Sequence, residues 1–255
     1  MTGALDLFRL DGCVALVTGG DKGLGQGIAV ALAQAGADVA VVSRSGDASG
    51  TLDAVAAAGR RGIALTADLS NVALVEGIVT ETTARLGRID ILVNNAGIIR
   101  RAPATDYEWN DWRVVLDVDL DAVWGLCRAA GRAMIAQGRG KIINIASVLS
   151  FQGGIRVPAY TAAKHAVAGL TKALANEWAS LGVNVNAIAP GYMVTDNTQA
   201  LRDDPERSRQ ILERIPAGRW GVPGDLAGAA IFLASPASDY VHGHVLVVDG
   251  GWLAR

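Results

Sequence analysis

The sequence predicts an α/β fold: a single domain built on a doubly wound parallel sheet of about seven strands. Three observations predict it. Short runs rich in Val, Ile and Leu recur along the whole chain and alternate with longer segments of helical period, the pattern of strands joined by crossover helices. The first run, Val14 to Val17, stops at Thr18-Gly19 and passes through TGGDKGLG into a helical stretch. The 255 residues are 51% apolar and show no internal repeat, low-complexity tract or interdomain linker, which suits one sizeable core.

The elements follow in order. After the first strand, Gly23 and Gly25 stand at the strand-to-helix turn. Missing side chains there let backbone N–H groups and a helix N-terminus approach a pyrophosphate, or simply make a tight turn. Asp38 to Ser43 reads as the second strand, residues 48–60 as a helix and Gly62 to Thr66 as extended. Asp68-Leu69-Ser70 opens a further helix, so Asp68 either accepts from an adenine amino group or caps that helix. Ile89 to Val93 is the fourth strand and runs into Asn94-Asn95-Ala96-Gly97, and a long helix is expected from Trp109 to about Gln137. Lys141 to Ala146 is the fifth strand and Val183 to Ile188 the sixth, ending at Pro190-Gly191-Tyr192-Met193-Val194-Thr195. The segment 196–218 is polar, arginine-rich and weakly periodic, which suits a lid over the crevice at the strand ends. Pro223 to Ala234 is helical, and His244 to Val248 is the last strand before Trp252-Leu253.

Composition narrows the class. A net charge of −2 leaves no electrostatic footprint for nucleic acid. No apolar run reaches the length of a membrane span, and MTGALDLFRLDG has no signal-peptide form, so no membrane partner and a cytoplasmic location are expected. Cys13 and Cys127 fall in apolar stretches and read as buried thiols. His242 and His244 alternate at the start of the last strand and read as surface or interface residues, so no metal site is expected.

The chemistry concentrates in SVLSFQGGIRVPAYTAAK, Ser147 to Lys164. Tyr160 and Lys164 are four residues apart and share one helix face. Ser147 closes the fifth strand, and Phe-Gln-Gly-Gly can fold it back towards the tyrosine. A phenol is a poor base near neutral pH, but an ammonium nearby stabilises the phenolate and a hydroxyl can hold a substrate oxygen. Alone, Tyr-x-x-x-Lys also describes a snorkelling pair on an amphipathic helix. At the second strand's end Ser43-Arg44-Ser45 carries no acid, and Lys22 stands in the glycine loop. Two cations and two hydroxyls aimed at a ribose 2′-phosphate favour NADP, with NAD possible; solvated surface charge is the alternative.

Taken together, TGGDKGLG, Asp68, NNAG at 94–97, Ser147, YTAAK at 160–164 and PGYMVT at 190–195 resemble the short-chain dehydrogenase/reductase family over essentially the whole chain. The resemblance implies a Rossmann-type sheet and an NAD(P)-dependent oxidoreductase acting on CH–OH groups. It makes Tyr160 the general acid/base, Lys164 the group that lowers its pKa and holds the nicotinamide ribose, and Ser147 the group that orients the substrate oxygen. It assigns the pyrophosphate to Gly19, Gly23 and Gly25, with Asp21 and Leu24 of the same loop at the cofactor; the group of members resembled usually binds NAD, whereas the local charges of Lys22 and Arg44 point to NADP. The adenine falls to Asp68 and Leu69, the adenosine-side ribose and backbone to Asn95, Ala96 and Gly97. The nicotinamide carboxamide falls to Met193 and Thr195, with Pro190 and Gly191 beside them at the cofactor. One position departs from the family: Val118-Asp119-Leu120 stands where V-N-L is usual. A carboxylate at Asp119 opposes phenolate formation, so it either raises the pH optimum or is held neutral by burial.

Several stretches are similar to family members that act on keto-sugar acids. For such a substrate Arg156 is the first choice to hold the carboxylate, with Gln152, Arg100 and Asn197 nearby; the alternative is that Arg156 pairs with an acid on the same or another subunit. An acyl-carrier reductase would instead need a basic docking patch, for which Arg202, Arg207 and Arg209 are the candidates. A nucleotide-binding regulator without turnover is the non-enzyme reading, favoured only by Asp119. The apolar helix through Trp178 and the ending at Trp252-Leu253 suggest self-association, and the family is commonly tetrameric.

Overall fold

The fold was described from a computed structural model covering residues 3–255; Met1 and Thr2, the start of the stretch read above as lacking signal form, lie outside the described residues. Seven strands, β1 (Val14–Thr18), β2 (Asp38–Ser43), β3 (Gly62–Thr66), β4 (Ile91–Asn94), β5 (Gly140–Ile145), β6 (Val183–Pro190) and β7 (Val245–Val248), form one sheet. Its order is β3-β2-β1-β4-β5-β6-β7 and every pairing is parallel. Strands β1, β2, β4 and β6 are buried throughout; β1, β2 and β4 accordingly read as near-continuous apolar runs, whereas β6 buries Asn184 and Asn186, which donate to the Val241 carbonyl. The chain reverses its winding between β1 and β4, so the loops after these two strands open a crevice at the sheet's carboxyl edge.

Helices α1 (Gly23–Gln34), α2 (Ser49–Ala57), α3 (Val75–Leu86), α4 (Trp109–Leu116), α5 (Ala122–Gln137), α6 (Pro158–Trp178), α7 (Gln199–Arg202), α8 (Pro205–Arg214) and α9 (Ala227–Ala234) complete the main elements. Two large cores lie on opposite faces of the sheet. One packs α3, α5 and α6 through Leu126, Met134, Val167 and Trp178, and the other packs α1 and α9 through Ile28, Leu32 and Leu233. Among the described residues no helix is long and apolar enough to cross a membrane.

Four local expectations are corrected. Asp68 does not open a helix: its carboxylate accepts from the Ser70 N–H and hydroxyl at 3.0 and 2.8 Å, and α3 begins only at Val75, after a 3₁₀ turn that Asn71 caps. The long helix is interrupted by a π-turn at Asp117–Asp121, where the Ala122 N–H reaches back to the Asp117 carbonyl. Cys13 is half-buried rather than buried, whereas Cys127 is buried and shares polar contacts with Asn94 and Asn144. Trp178 and Trp252 both face inward. Trp178 covers Gly131, where any Cβ would stand 2.8 Å from the indole, and Trp252 lies beneath the Arg214 guanidinium at 3.9 Å. Neither indole is available to a second subunit.

Candidate active site

The glycine loop is shaped by close approach. Gly19 and Gly23 have φ of +59° and +56°, where a Cβ is strained. At Gly25 a Cβ would lie 2.0 Å from the Gly19 carbonyl oxygen and 2.4 Å from Asn95 Nδ2, so only glycine lets α1 start there. No side chain caps the start of α1. Its first N–H groups therefore face the crevice as anion donors, a cradle of the size and polarity that a pyrophosphate requires.

The Asn95 amide nitrogen holds this loop. It donates to the carbonyls of Thr18 and Gly19 at 2.9 and 3.1 Å. Thr18, which the sequence reading passed over, is the hub: its hydroxyl oxygen accepts from the N–H groups of Asn95 and Ala96, both at 3.0 Å. The only sequence signal for it is a hydroxyl residue ending an otherwise aliphatic strand. Asp68 is exposed beyond β3, while Leu69 is buried in the core. Lys22 is not free for a phosphate: its ammonium pairs with Asp196 at 2.6 Å across the mouth of the crevice, an exposed contact. Arg44 has neither a hydrogen bond nor an ion pair among the described residues.

Ser147, Tyr160 and Lys164 come together. Ser147 caps the 3₁₀ turn Val148–Ser150, accepting from Leu149 N–H at 3.1 Å, and its own N–H donates to Ser150 Oγ at 3.3 Å. Ser150 is a second residue missed in the sequence; its hydroxyl donates to the Lys164 carbonyl at 2.7 Å and ties the serine turn to α6. Pro158 at the first turn starts α6 two residues before Tyr160. Lys164 is 3% exposed, and its ammonium donates to the Ile145 carbonyl at 2.8 Å and lies 5.4 Å from the centre of the Tyr160 ring.

Burial and a neighbouring acid dominate the electrostatics of the phenol. The Tyr160 phenol is raised above its ordinary value, first by burial and then by the charge of Asp119, while Ser147 and Arg101 act in the opposite direction. Lys164 is itself lowered by burial and supported by Asp119. Asp119 is wholly buried in the π-turn. One carboxylate oxygen accepts from the Ile98 N–H at 2.8 Å and the other stands 3.9 Å from the Lys164 ammonium. Burial lifts this carboxyl to about 6, against the pull of Lys164 and the Ile98 N–H.

Segment 196–218 folds as a 3₁₀ turn (Asp196–Thr198), α7 and α8. Ile211 and Ile215 pack on Val148 and Trp252, beside the serine turn. Arg101 donates to the Asn197 carbonyl at 2.9 Å and Thr198 to the Met193 carbonyl at 2.6 Å, so the β4 and β6 loops both anchor it. Met193 has its side chain buried. At Gly191 a Cβ would meet the Asp249 backbone at 2.6 Å.

The substrate candidates separate. Gln152 accepts from Arg214 at 3.2 Å, and Arg100 lies 3.5 Å from Asp111. Arg156 is exposed, unpaired among the described residues, and the one non-glycine residue with positive φ, +64°. Its carbonyl accepts from Ala102 N–H at 3.1 Å, which pins its loop to the loop after β4. Arg209 is clasped by Glu206 and Glu213, Arg207 bonds Gln210, and Arg202 turns inward to the Thr195 carbonyl. These three do not make the free basic patch that an acyl-carrier partner needs. Among the described residues no cluster of His, Cys, Asp and Glu is suited to a metal.

Comparison with known proteins agrees with this architecture. A family model described as Enoyl-(Acyl carrier protein) reductase matches residues 19–253. The 2-dehydro-3-deoxy-D-gluconate 5-dehydrogenases of Dickeya dadantii and Bacillus subtilis are each 56% identical, over 98% of this chain and 99% and 98% of theirs. A crystal structure of a gluconate 5-dehydrogenase from Burkholderia cenocepacia J2315, in complex with NADP and tartrate, superposes with a TM-score of 0.95 at 45% identity, covering 99% of this chain and all of the other. With the glycine cradle, the Ser-Tyr-Lys convergence and near full-length matches all in place, this chain belongs to the short-chain dehydrogenase/reductase family.

Proposed function

We propose that this chain is an NAD(P)-dependent oxidoreductase that interconverts a keto and a hydroxy sugar acid, acting as a 2-dehydro-3-deoxy-D-gluconate 5-dehydrogenase. The observation that carries the reading is the meeting of Ser147, Tyr160 and Lys164 at the end of β5, with the unpaired Arg156 on the same loop system. The two relatives at 56% identity support the choice of substrate.

In this reading Gly19, Asp21, Gly23, Leu24 and Gly25 hold the pyrophosphate, Asp68 and Leu69 border the adenine, and Ala96 and Gly97 line the ribose path. Arg44 meets a 2′-phosphate, and Lys22 joins it by leaving Asp196. NADP is accordingly the favoured cofactor and NAD an acceptable one. Pro190, Gly191, Met193 and Thr195 border the nicotinamide end through their backbone. The bound cofactor supplies or accepts the hydride. The protein manages the proton: Tyr160 donates it to the carbonyl oxygen in reduction and withdraws it from the hydroxyl in oxidation, while Ser147 donates a hydrogen bond to that oxygen. Lys164 stands beside the tyrosine and reaches the nicotinamide ribose. Arg156 takes the carboxylate, with Arg100, Gln152 and Asn197 within the same rim, and residues 196–218 act as the lid that excludes water. The enzyme works as a cytoplasmic homotetramer.

Gluconate 5-dehydrogenase is the second reading, favoured by the Burkholderia cenocepacia structure. Nicotinamide absorbance with NADPH and NADH, offered 2,5-diketo-3-deoxygluconate, 5-ketogluconate and an acetoacetyl thioester, decides among them. Preference for the deoxy acid supports the proposal and preference for 5-ketogluconate supports the second reading. Activity on the thioester alone overturns both, and sedimentation of the purified protein tests the tetramer.

A further inference from the structure

Asp119 is a buried acid with an unfinished set of partners. Its Oδ1 takes the Ile98 N–H, but its Oδ2 is buried and accepts no hydrogen bond. The carboxylate lies against Gly97, where a Cβ would stand 3.2 Å from Oδ2. Its nearest cation, Lys164 Nζ, is 3.9 Å away, beyond hydrogen-bond range, and spends its bond on the Ile145 carbonyl. The centre of the Tyr160 ring lies 5.4 Å from that ammonium. A carboxylate, a lysine and a phenol therefore stand together inside the protein, linked by charge rather than by hydrogen bonds.

We infer that Asp119 is a positioning residue that keeps Tyr160 protonated: its charge offsets that of Lys164, so the tyrosine works as an acid in carbonyl reduction at neutral pH and as a base only in alkaline solution. The inference rests on the assignment of Tyr160 as the acid/base. The groups facing this cluster are few. Helix α6 contributes Lys164 and Tyr160, the turn after β5 contributes Ser147, and the loop after β4 contributes Arg101. Tyr107, ahead of α4, feels Asp119 only as its weakest influence. The neighbouring Asp117 and Asp121 are turned outward onto Arg113 and do not enter the cluster. Among the described residues Lys164 is thus the only buried cation beside the phenol, and Asp119 is the one acid in position to cancel it. An amide in place of the acid has the same shape and no charge, so Asp119→Asn isolates the electrostatic contribution.

The test is an ultraviolet difference titration of the cofactor-free protein, in which the Tyr160→Phe variant is subtracted to isolate the Tyr160 signal. In the wild type that signal is expected above about pH 10, the ordinary tyrosine value. In the Asp119→Asn background it is expected about one pH unit or more lower. The acid limb of the oxidation rate profile should move down with it, raising the rate there about tenfold per unit, with cofactor affinity unchanged. A wild-type Tyr160 signal below pH 10, or coincident titrations of wild type and Asp119→Asn, overturns the inference. So does a loss of activity that is uniform in pH, which marks a merely structural acid. If Asp119→Asn does not fold, Asp119→Ser, which removes the same charge with a smaller side chain, takes its place and must lower the Tyr160 titration for the inference to stand. A shifted titration with no turnover of any sugar acid upholds the inference and removes the proposed substrate instead.

Discussion

Replacing Arg156 by glycine separates binding from folding more cleanly than the usual alanine. Arg156 adopts the left-handed conformation, which costs an L-residue roughly 1–2 kcal/mol. Glycine avoids that cost but adds about 0.5–1 kcal/mol of unfolded-state entropy. The Ala102 N–H to Arg156 carbonyl bond is made by backbone and survives the change. Stability should therefore rise by about 0 to 1.5 kcal/mol. Binding is different, because a hydrogen bond to a charged group contributes roughly 1.5–3 kcal/mol. At about 1.4 kcal/mol per factor of ten, KM for 5-ketogluconate should rise on the order of 10- to 150-fold. The assay compares KM for the keto acid with KM for a neutral ketose of the same length, alongside the Kd of NADPH. An equal loss for charged and neutral substrates, or a matching loss in cofactor affinity, would show that Arg156 shapes the loop and does not read the carboxylate.

Four further outcomes are expected. Arg44→Ala should weaken NADPH binding about tenfold and leave NADH unchanged, while Asp196→Ala, which frees Lys22, should tighten NADPH; fluorescence titration of both cofactors reads this, and parallel changes for the two would remove the 2′-phosphate assignment. Gly25→Ala forces a Cβ onto the Gly19 carbonyl and should lower stability by about 1–3 kcal/mol and abolish cofactor binding, measured by thermal unfolding with and without NADPH. Because burial holds the Asp119 carboxyl at about 6, the native state keeps a proton that the unfolded chain has lost between about pH 4 and pH 6. Stability should fall as pH rises through that window and the slope should vanish in Asp119→Asn; equal slopes in urea unfolding would contradict the burial. Trp178→Ala should cost about 3–5 kcal/mol in denaturant unfolding, since the indole fills the space over Gly131 within the core.

Much of the fold was legible because strand signals in a parallel sheet are strong. Both faces of β1, β2 and β6 are covered, so their interiors are mostly aliphatic, with Asn184 and Asn186 of β6 satisfied by the Val241 carbonyl, and their limits fall within a residue or two of those read from the sequence. The pairing of Tyr160 with Lys164 was legible for a similar reason, since a four-residue interval on a helix has one spatial meaning. The start of α3 and the π-turn were not, because each depends on where single backbone groups find partners. Asp68 turns to Ser70 and leaves the helix to Asn71, and the Ala122 N–H reaches Asp117 instead of the nearer carbonyl that an α-helix prescribes.

The sequence by itself determined the order of strands and helices, the positions that must be glycine, and the types of side chain available for chemistry, because these follow from local period and from sterics along the chain. Only the tertiary structure decided which charges meet. Lys22 found Asp196, 174 residues away, and not the neighbouring Arg44 region alone. Arg209 was neutralised by its own helix, and Arg156 was left without a partner on a strained turn. Asp119 was carried into the interior beside Lys164. Coulomb interactions depend on distance and on exclusion from water, and neither quantity exists until the elements have packed.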